Sequence, residues 1–260
     1  MSDRPDLIYR YDGSFDGLLC CVFESYLKKE IPAGILSARA EQTCLFPARE
    51  IETDPQRAAR VARSIAPAIG AEAADFVRRA FLTCLPERER YILLFLRLGY
   101  RRGPAVMRML TDDTVHALAK AVQSLEHEAH LLDGFLRFSE RGGVLAAQMR
   151  PKNIVLPLMA PHFCGRYPGE RFVIHDRAHD MALLHEPGRP PVIRPAEELA
   201  LPAVDANERA FRSLWRLYYD TVEVEGRHNP RCRMTHMPKR YWEYLTEMGH
   251  GEGGPWHLPE

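Results

Sequence analysis

The segment GFLRFSERGGVLAAQM, residues 134–149, marks the point where the sequence changes from helical to strand periodicity. Before it, apolar residues recur every three or four positions from Val115 to Leu132, which predicts a helix capped by residues 111–113. Within it, two short apolar runs flank the Glu-Arg-Gly-Gly sequence at 140–143, a pattern typical of a β-hairpin. A helix followed by a hairpin favours an α+β fold.

The sequence that follows extends the same pattern toward the carboxyl end. Residues 153–168 predict an apolar helix broken at Pro161, and residues 171–186 predict a second hairpin with its turn near Arg177 and Ala178. We therefore expect a mainly antiparallel sheet of hairpins that is covered by helices. Residues 186–202 are rich in proline and predict a surface connection, and the C-terminal segment after it is helical.

The sequence before the hairpins is mostly helical. A short strand is predicted at 7–13, followed by helices over 14–29, 55–68, 71–85 and 87–98. We predict a single α+β domain over residues 1–260. This domain can be divided into a helix-rich N-terminal part, 1–110, and a sheet-containing part, 111–260, that ends in helices.

Composition and charge exclude several classes of protein. Hydrophobic residues make up 46% of the chain, and 35 basic side chains balance 35 acidic ones, so any electrostatic binding is expected to be local. The apolar runs are too short to cross a membrane, there is no secretory signal, and six scattered cysteines predict reduced thiols. A cytoplasmic location is expected.

Phosphate-loop, dinucleotide and iron–sulfur motifs are absent, so we predict no cofactor.

Local charge is concentrated in RHNPRCRMTHMPKRYWEYL, residues 227–245, and in the helix before it. Eight basic and three acidic residues between Arg209 and Arg240 give this segment a net charge of +5. Guanidinium groups bind phosphate oxygens, and aromatic rings stack on bases, so the pattern predicts a nucleic-acid surface. A solvated helix with an aromatic core stripe remains the alternative. The predicted binding residues are Arg227, Asn229, Arg231, Arg233, Lys239, Arg240, Tyr241 and Trp242.

A separate set of residues has the character of an acid–base site. Glu126 and His130 are four residues apart on the predicted helix, where a carboxylate can orient an imidazole. Arg137 and His162 are further catalytic candidates. The same spacing also gives an ordinary surface pair, so whether the protein is an enzyme stays open.

Histidines in the second predicted hairpin resemble metal ligands only weakly. The sequence HDRAHD, residues 175–180, contains His175, Asp176 and His179, but a turn between two strands explains these residues without a metal. Adding His162, Cys164 and His185 gives suitable zinc ligands in a spacing that matches no closed zinc module. We therefore predict no metal site.

Three blocks of the sequence also carry a resemblance to a known family. They are EHEAHLLDGFLRF (126–138), LMAPHFCGRYPGERFVIHDRAHDMAL (158–183) and NPRCRMTHMPKRYWEYLTE (229–247). The chain resembles bacterial proteins of DNA metabolism or repair that share a domain of unknown function. That domain occurs alone, associated with a radical-SAM protein, or fused ahead of a uracil-DNA glycosylase-like domain.

Three functional hypotheses follow from the residues and the resemblance. The first is an accessory protein that binds DNA and cooperates with a radical-SAM repair or modification enzyme. The second is an enzyme that acts on a damaged base or nucleotide, using Glu126 and His130 or a metal at the His-rich hairpin. The third is a protein-binding scaffold that docks through its aromatic C-terminal helix.

Overall fold

The computed structural model describes residues 2–38, 46–196, 203–204, 206–222 and 229–248. The chain divides into two compact units, Met1–Leu125 and Glu126–Glu260. The boundary falls inside helix α5, Asp113–Phe135.

The first unit is built on a parallel sheet. Its elements are β1 (Ser2–Tyr11), α1 (Phe15–Leu27), β2 (Glu30–Ser37), β3 (Ala48–Glu50), α2 (Pro55–Ile69), α3 (Ala71–Phe81), α4 (Arg88–Arg102) and a 3-10 helix (Gly103–Arg108). The strand order is β2-β1-β3, and β1 pairs in parallel with both neighbours.

Local sequence explains how the first unit's helices begin and where its core lies. The Ser14 hydroxyl accepts a hydrogen bond from Gly17 N at 2.9 Å, which caps α1. Tyr9 of β1 and Phe95 of α4 are fully buried. Cys20 and Cys21 are free and buried, as their apolar context predicts.

The second unit contains a five-stranded sheet with helices. After α5 come β4 (Ser139–Glu140), β5 (Leu145–Met149), α6 (Leu156–Arg166), β6 (Phe172–Asp176), β7 (Met181–His185), β8 (Val192–Pro195), α7 (Ala206–Val222), α8 (Pro230–His236) and a 3-10 helix (Lys239–Tyr244). The strand order is β4-β5-β6-β7-β8. The β5–β6 pair is parallel, because α6 forms a crossover between them, and the other pairs are antiparallel.

The α+β class is consistent with this structure, but the expected mainly antiparallel sheet is wrong for the molecule as a whole. The first sheet is entirely parallel, and the second is mixed. The first predicted hairpin contains only a two-residue β4, because α5 continues through Phe135. The second hairpin is confirmed as β6 and β7, and the proline-rich connection contains β8.

Helix α7 presents its apolar side outward. Phe211, Leu214, Trp215, Tyr218 and Val222 recur at helical spacing and are between 40% and 66% exposed. The other side of the helix is polar and is bonded to the rest of the unit: Ser139 Oγ donates to Glu208 Oε1 at 2.7 Å, and Arg216 Nε donates to the Thr246 carbonyl at 3.0 Å. The core-stripe interpretation is therefore wrong for Trp215 and Tyr218.

In the described ranges, no helix combines the length and the apolar character needed to span a bilayer.

Candidate nucleic-acid interface

The predicted binding segment folds as α8 followed by the 3-10 helix Lys239–Tyr244. Asn229 begins α8 by accepting a hydrogen bond from Cys232 N at 3.0 Å, and Pro230 occupies the first helical turn. The Asn229 side-chain oxygen is thus used as a helix cap. Arg227 lies outside the described residues, and Arg231 is exposed on α8.

Trp242 lies against two cations of this segment. The Arg233 guanidinium carbon is 5.5 Å and the Lys239 ammonium nitrogen 5.8 Å from the indole ring centre. Trp242 Nε1 donates to the Met237 carbonyl at 2.9 Å, which fixes the orientation of the ring. Because Trp242 remains partly exposed, cation and aromatic groups meet here at the protein surface.

Tyr241 has a different environment from its neighbour. It is only 2% exposed, and its ring packs 5.7 Å from that of Phe135. Burial, with the nearby Glu128 carboxylate, raises the pKa of the Tyr241 phenol, so the hydroxyl stays protonated. A ring this deeply buried has no face available for stacking on a base, so Tyr241 positions the segment.

Glu128 is the residue that fixes the segment to the rest of the unit. Its carboxylate is 2% exposed and accepts hydrogen bonds from Lys152 N at 3.1 Å, Asn153 N at 2.8 Å and Asn153 Nδ2 at 2.7 Å. Arg240 Nη2 forms an ion pair with it at 3.1 Å, and the Tyr241 hydroxyl lies 3.4 Å away. One buried carboxylate therefore joins the start of the loop before α6 to the 3-10 helix.

The sequence contained a signal for Glu128 that the prediction did not use. Glu128 follows Leu125 by three residues and precedes Leu132 by four, so it lies on the apolar side of α5. A carboxylate in that position is expected to be buried and paired. Glu126 and His130, which were predicted instead, are both exposed.

Arg137, another predicted catalytic residue, is held by a carboxylate. Arg137 Nη2 and Nε donate to Glu247 at 2.7 and 3.3 Å, and Nη1 donates to the Gly134 carbonyl at 3.0 Å. Trp215 Nε1 donates to the same Glu247 carboxylate at 3.0 Å. Burial opposes ionisation of Glu247, but these hydrogen bonds outweigh it and lower the pKa of the carboxyl group. The arrangement is a partly buried ion pair that ties the end of α5 to the C-terminal segment.

A group of ionisable residues surrounds Asp133 at the end of α5. Burial raises the pKa of Asp133, and the nearby His162 and His130 oppose part of that effect. One Asp133 carboxylate oxygen is buried and has no hydrogen-bond partner. Asp133 is on the same helix as Glu126 and His130, and an acid–base site in this region stays a prediction.

Local hydrogen bonds hold Asp176, His179 and His185 of the His-rich hairpin. Asp176 is buried, accepts from Ala178 N and His179 N, and contacts His179 Nδ1 at 2.7 Å. His175 Nε2 is 3.9 Å from Asp180, and burial lowers the pKa of His175. His185 Nδ1 contacts the Glu170 carbonyl at 3.0 Å. Across the described ranges, no three His, Cys, Asp or Glu residues are arranged to hold a metal ion.

Comparison with known proteins gives the chain a family. The profile of a domain of unknown function, DUF4130, matches residues 86–247, which include all of the site residues described above. The comparison with curated proteins gave no match. Because the matched segment is more than half of the chain, this protein belongs to the DUF4130 family of domains of unknown function.

Proposed function

We propose that this protein binds nucleic acid through the segment 229–244, as an accessory protein in DNA metabolism. The observation that carries the proposal is the partly exposed Trp242 ring with Arg233 and Lys239 against it. Surfaces that bind single strands combine cations for the phosphates with aromatic rings that stack on bases.

The charges of this segment are only partly neutralised within the protein. Arg240 forms an ion pair with Glu128, and its side chain is still 38% exposed. For Arg231, Arg233 and Lys239, no carboxylate of the described chain lies within 4.0 Å. Because no described carboxylate neutralises these three cations, they support a local electrostatic surface for phosphate oxygens on a chain of zero net charge.

The proposal assigns different roles to the residues of the segment. Trp242 stacks on a base, Arg231 and Lys239 bind phosphates, and Arg240 contributes its remaining exposed N–H groups. Asn229 and Tyr241 hold the backbone in place as helix cap and buried anchor.

The resemblance noted from the sequence adds a biological context to the proposal. It implies that the bound nucleic acid is DNA, that the process is repair or modification, and that a radical-SAM protein is the partner. The segment 229–247 is one of the three blocks that carry this resemblance.

Binding of labelled oligonucleotides, measured by fluorescence anisotropy over a salt series, tests the proposal. We expect single-stranded DNA to bind with an affinity that falls steeply as salt rises. Arg231→Ala/Lys239→Ala should weaken binding by about tenfold or more, since two charge-assisted contacts are lost.

A matched control removes two other exposed arginines from the same unit. Arg171 precedes β6, and Arg189 lies in the turn between β7 and β8. Arg171→Ala/Arg189→Ala changes the net charge equally and should leave the affinity nearly unchanged. Equal losses in both double variants, or no salt-dependent binding by the wild type, would refute the proposal.

Binding of a protein partner on α7 is a second candidate function. The observation that favours it is the outward apolar stripe of α7, whose polar side binds the unit's own residues Ser139 and Thr246. Exposed apolar surface of this kind marks sites of protein association. The partner in this hypothesis is the radical-SAM protein that the resemblance implies.

Co-purification of that radical-SAM protein with the wild-type chain tests this second function. We expect Leu214→Glu/Tyr218→Glu to abolish co-purification, because both side chains are more than half exposed within the stripe. DNA affinity should be retained in the same variant. Undiminished co-purification would contradict the assignment of the partner to α7.

A further inference from the structure

Two arginines leave neighbouring strands at the same edge of the five-stranded sheet. Met149 of β5 and Asp176 of β6 are paired in the parallel ladder, and Arg150 and Arg177 are the next residues of the two strands. Arg177 N continues the ladder by donating to the Met149 carbonyl at 2.9 Å. Adjacent strands are about 4.8 Å apart, so the two side chains start about one strand spacing from each other.

Within the described ranges, neither arginine of this pair is held in an ion pair. Arg150 and Arg177 are both exposed, and neither has a carboxylate within 4.0 Å in the described part of the chain. Like charges side by side on adjacent strands are destabilising. By contrast, Arg137 and Arg212 of the same unit each bind a carboxylate. Two exposed guanidinium groups that start about one strand spacing apart offer paired donors to an external anion.

Arg150 and Arg177 are both near Tyr244, the last residue of the 3-10 helix Lys239–Tyr244. Burial has the largest effect on this phenol and raises its pKa, while Arg177 and Arg150 both lie close enough to lower it in part. The Glu243 carboxylate also raises the pKa of Tyr244, so two cations and one anion act on this phenol. The local charge is positive, and an aromatic side chain lies beside it.

The two arginines lie at the same edge of the sheet as the segment 229–244. Arg150 and Arg177 follow the carboxyl ends of two parallel strands that are joined by the crossover helix α6. The exposed Lys152 lies two residues after Arg150, and its backbone N–H binds the same Glu128 that holds Arg240. The edge therefore continues into the segment 229–244.

We infer that Arg150 and Arg177 form a phosphate-binding site that takes one phosphate group of a nucleic acid. Two guanidinium groups can each donate paired N–H groups to the oxygens of a single phosphate. That the phosphate belongs to a nucleic acid rests on the proposed function, whereas the site itself rests on the placement of the two arginines. The phosphate is an internal diester or the monoester at a strand end.

Oligonucleotide binding of Arg150→Ala/Arg177→Ala tests the site. We expect its affinity for single-stranded DNA to fall by about tenfold, with a slope of log affinity against log salt shallower by about 0.7, as for one lost phosphate contact. Arg171→Ala/Arg189→Ala, at the opposite end of β6, is the control of equal charge. Thermal unfolding should show that both variants are folded, and Arg150→Ala/Arg177→Ala should be at least as stable as the wild type.

Two further measurements separate the possible sources of the phosphate. A 5′-phosphorylated oligonucleotide is compared with its unphosphorylated twin, and a preference that is lost in Arg150→Ala/Arg177→Ala assigns the site to a terminal monoester. Equal affinities for the two oligonucleotides, both reduced in the variant, assign it to an internal diester.

Different results would refute the phosphate-binding site and the proposed function. If the wild type binds DNA and Arg150→Ala/Arg177→Ala binds it equally well, the site is refuted and the function stands. If no oligonucleotide binds, the proposed function is refuted, and titration with inorganic phosphate decides the site. Shifts of the Arg150 and Arg177 Nε–H signals in NMR spectra would then support it, and unchanged signals would overturn it.

Discussion

Replacing the buried carboxylate of Glu128 should destabilise the second unit far more than replacing its exposed neighbour Glu126. In Glu128→Ala, the Asn153 backbone N–H and side-chain amide lose their acceptor in a buried position, and the partly buried Lys152 N–H loses its own. A buried donor left without a partner costs about 1–3 kcal/mol. Arg240 adds little to the loss, because its 38% exposed side chain can be rehydrated. We expect a loss of about 3–5 kcal/mol, similar to that for breaking a buried ion pair.

Urea denaturation followed by tryptophan fluorescence measures this loss selectively. Trp215 and Trp242 are both in the second unit, so their fluorescence reports on that unit. With an m-value of about 2 kcal/mol/M, a loss of about 3 kcal/mol lowers the urea midpoint by about 1.5 M. Glu126→Ala, on the same helix, should change stability by no more than about 0.5 kcal/mol.

Equal urea midpoints for Glu128→Ala and Glu126→Ala would refute this prediction. That result would mean that water or a rearranged side chain satisfies the amide groups around Asn153 at no cost. Glu128→Gln adds a graded check, since its amide oxygen still accepts one hydrogen bond, and its stability should lie between those of the wild type and Glu128→Ala.

Three further variants test individual contacts. The lowered pKa of Glu247 stabilises the fold above its unfolded pKa of about 4.3, and this contribution is lost as pH falls through the folded pKa; Arg137→Ala should therefore be less stable than the wild type near neutral pH, and denaturation at several pH values should show the gap closing below about pH 4. Tyr241→Phe should lower the free energy of unfolding by about 1 kcal/mol, through loss of the hydroxyl contacts, and leave oligonucleotide affinity within roughly twofold, since the ring is an anchor; a large loss of affinity would contradict that role. Arg150→Glu should raise stability by about 0.5 kcal/mol, by pairing with Arg177, and weaken oligonucleotide binding; a fall in the melting temperature would show that the two arginines do not repel each other.

Helices were the part of the fold that periodicity predicted well. Helix α5 and the helices of the first unit follow apolar residues at helical spacing, with caps such as Ser14 and Asp112 at their starts. These features are local, because a helix satisfies its hydrogen bonds within a short stretch of chain. The second hairpin was also predictable from the local sequence, because only a four-residue turn joins β6 to β7.

The pairing of strands distant in the sequence was not predictable in this way. Strand β1 pairs in parallel with β2 and β3, and β5 pairs in parallel with β6. Parallel pairs depend on crossover connections, so no short turn sequence predicts them. The prediction of mainly antiparallel hairpins failed because it paired only strands that are adjacent along the chain.

The sequence by itself determined the location of the basic and aromatic segment, its separation from a neutral remainder, and the residue types that a phosphate surface needs. It did not determine which of those residues are exposed. The structure buries Tyr241 beside Glu128, leaves Trp242 partly exposed with two cations close to its ring, and turns the apolar stripe of α7 outward. It also places Arg150 beside Arg177, which are 27 positions apart in the chain. Residue type is set by the sequence, whereas burial and proximity arise from long-range packing, and only the tertiary structure decides which charges are neutralised and which remain free.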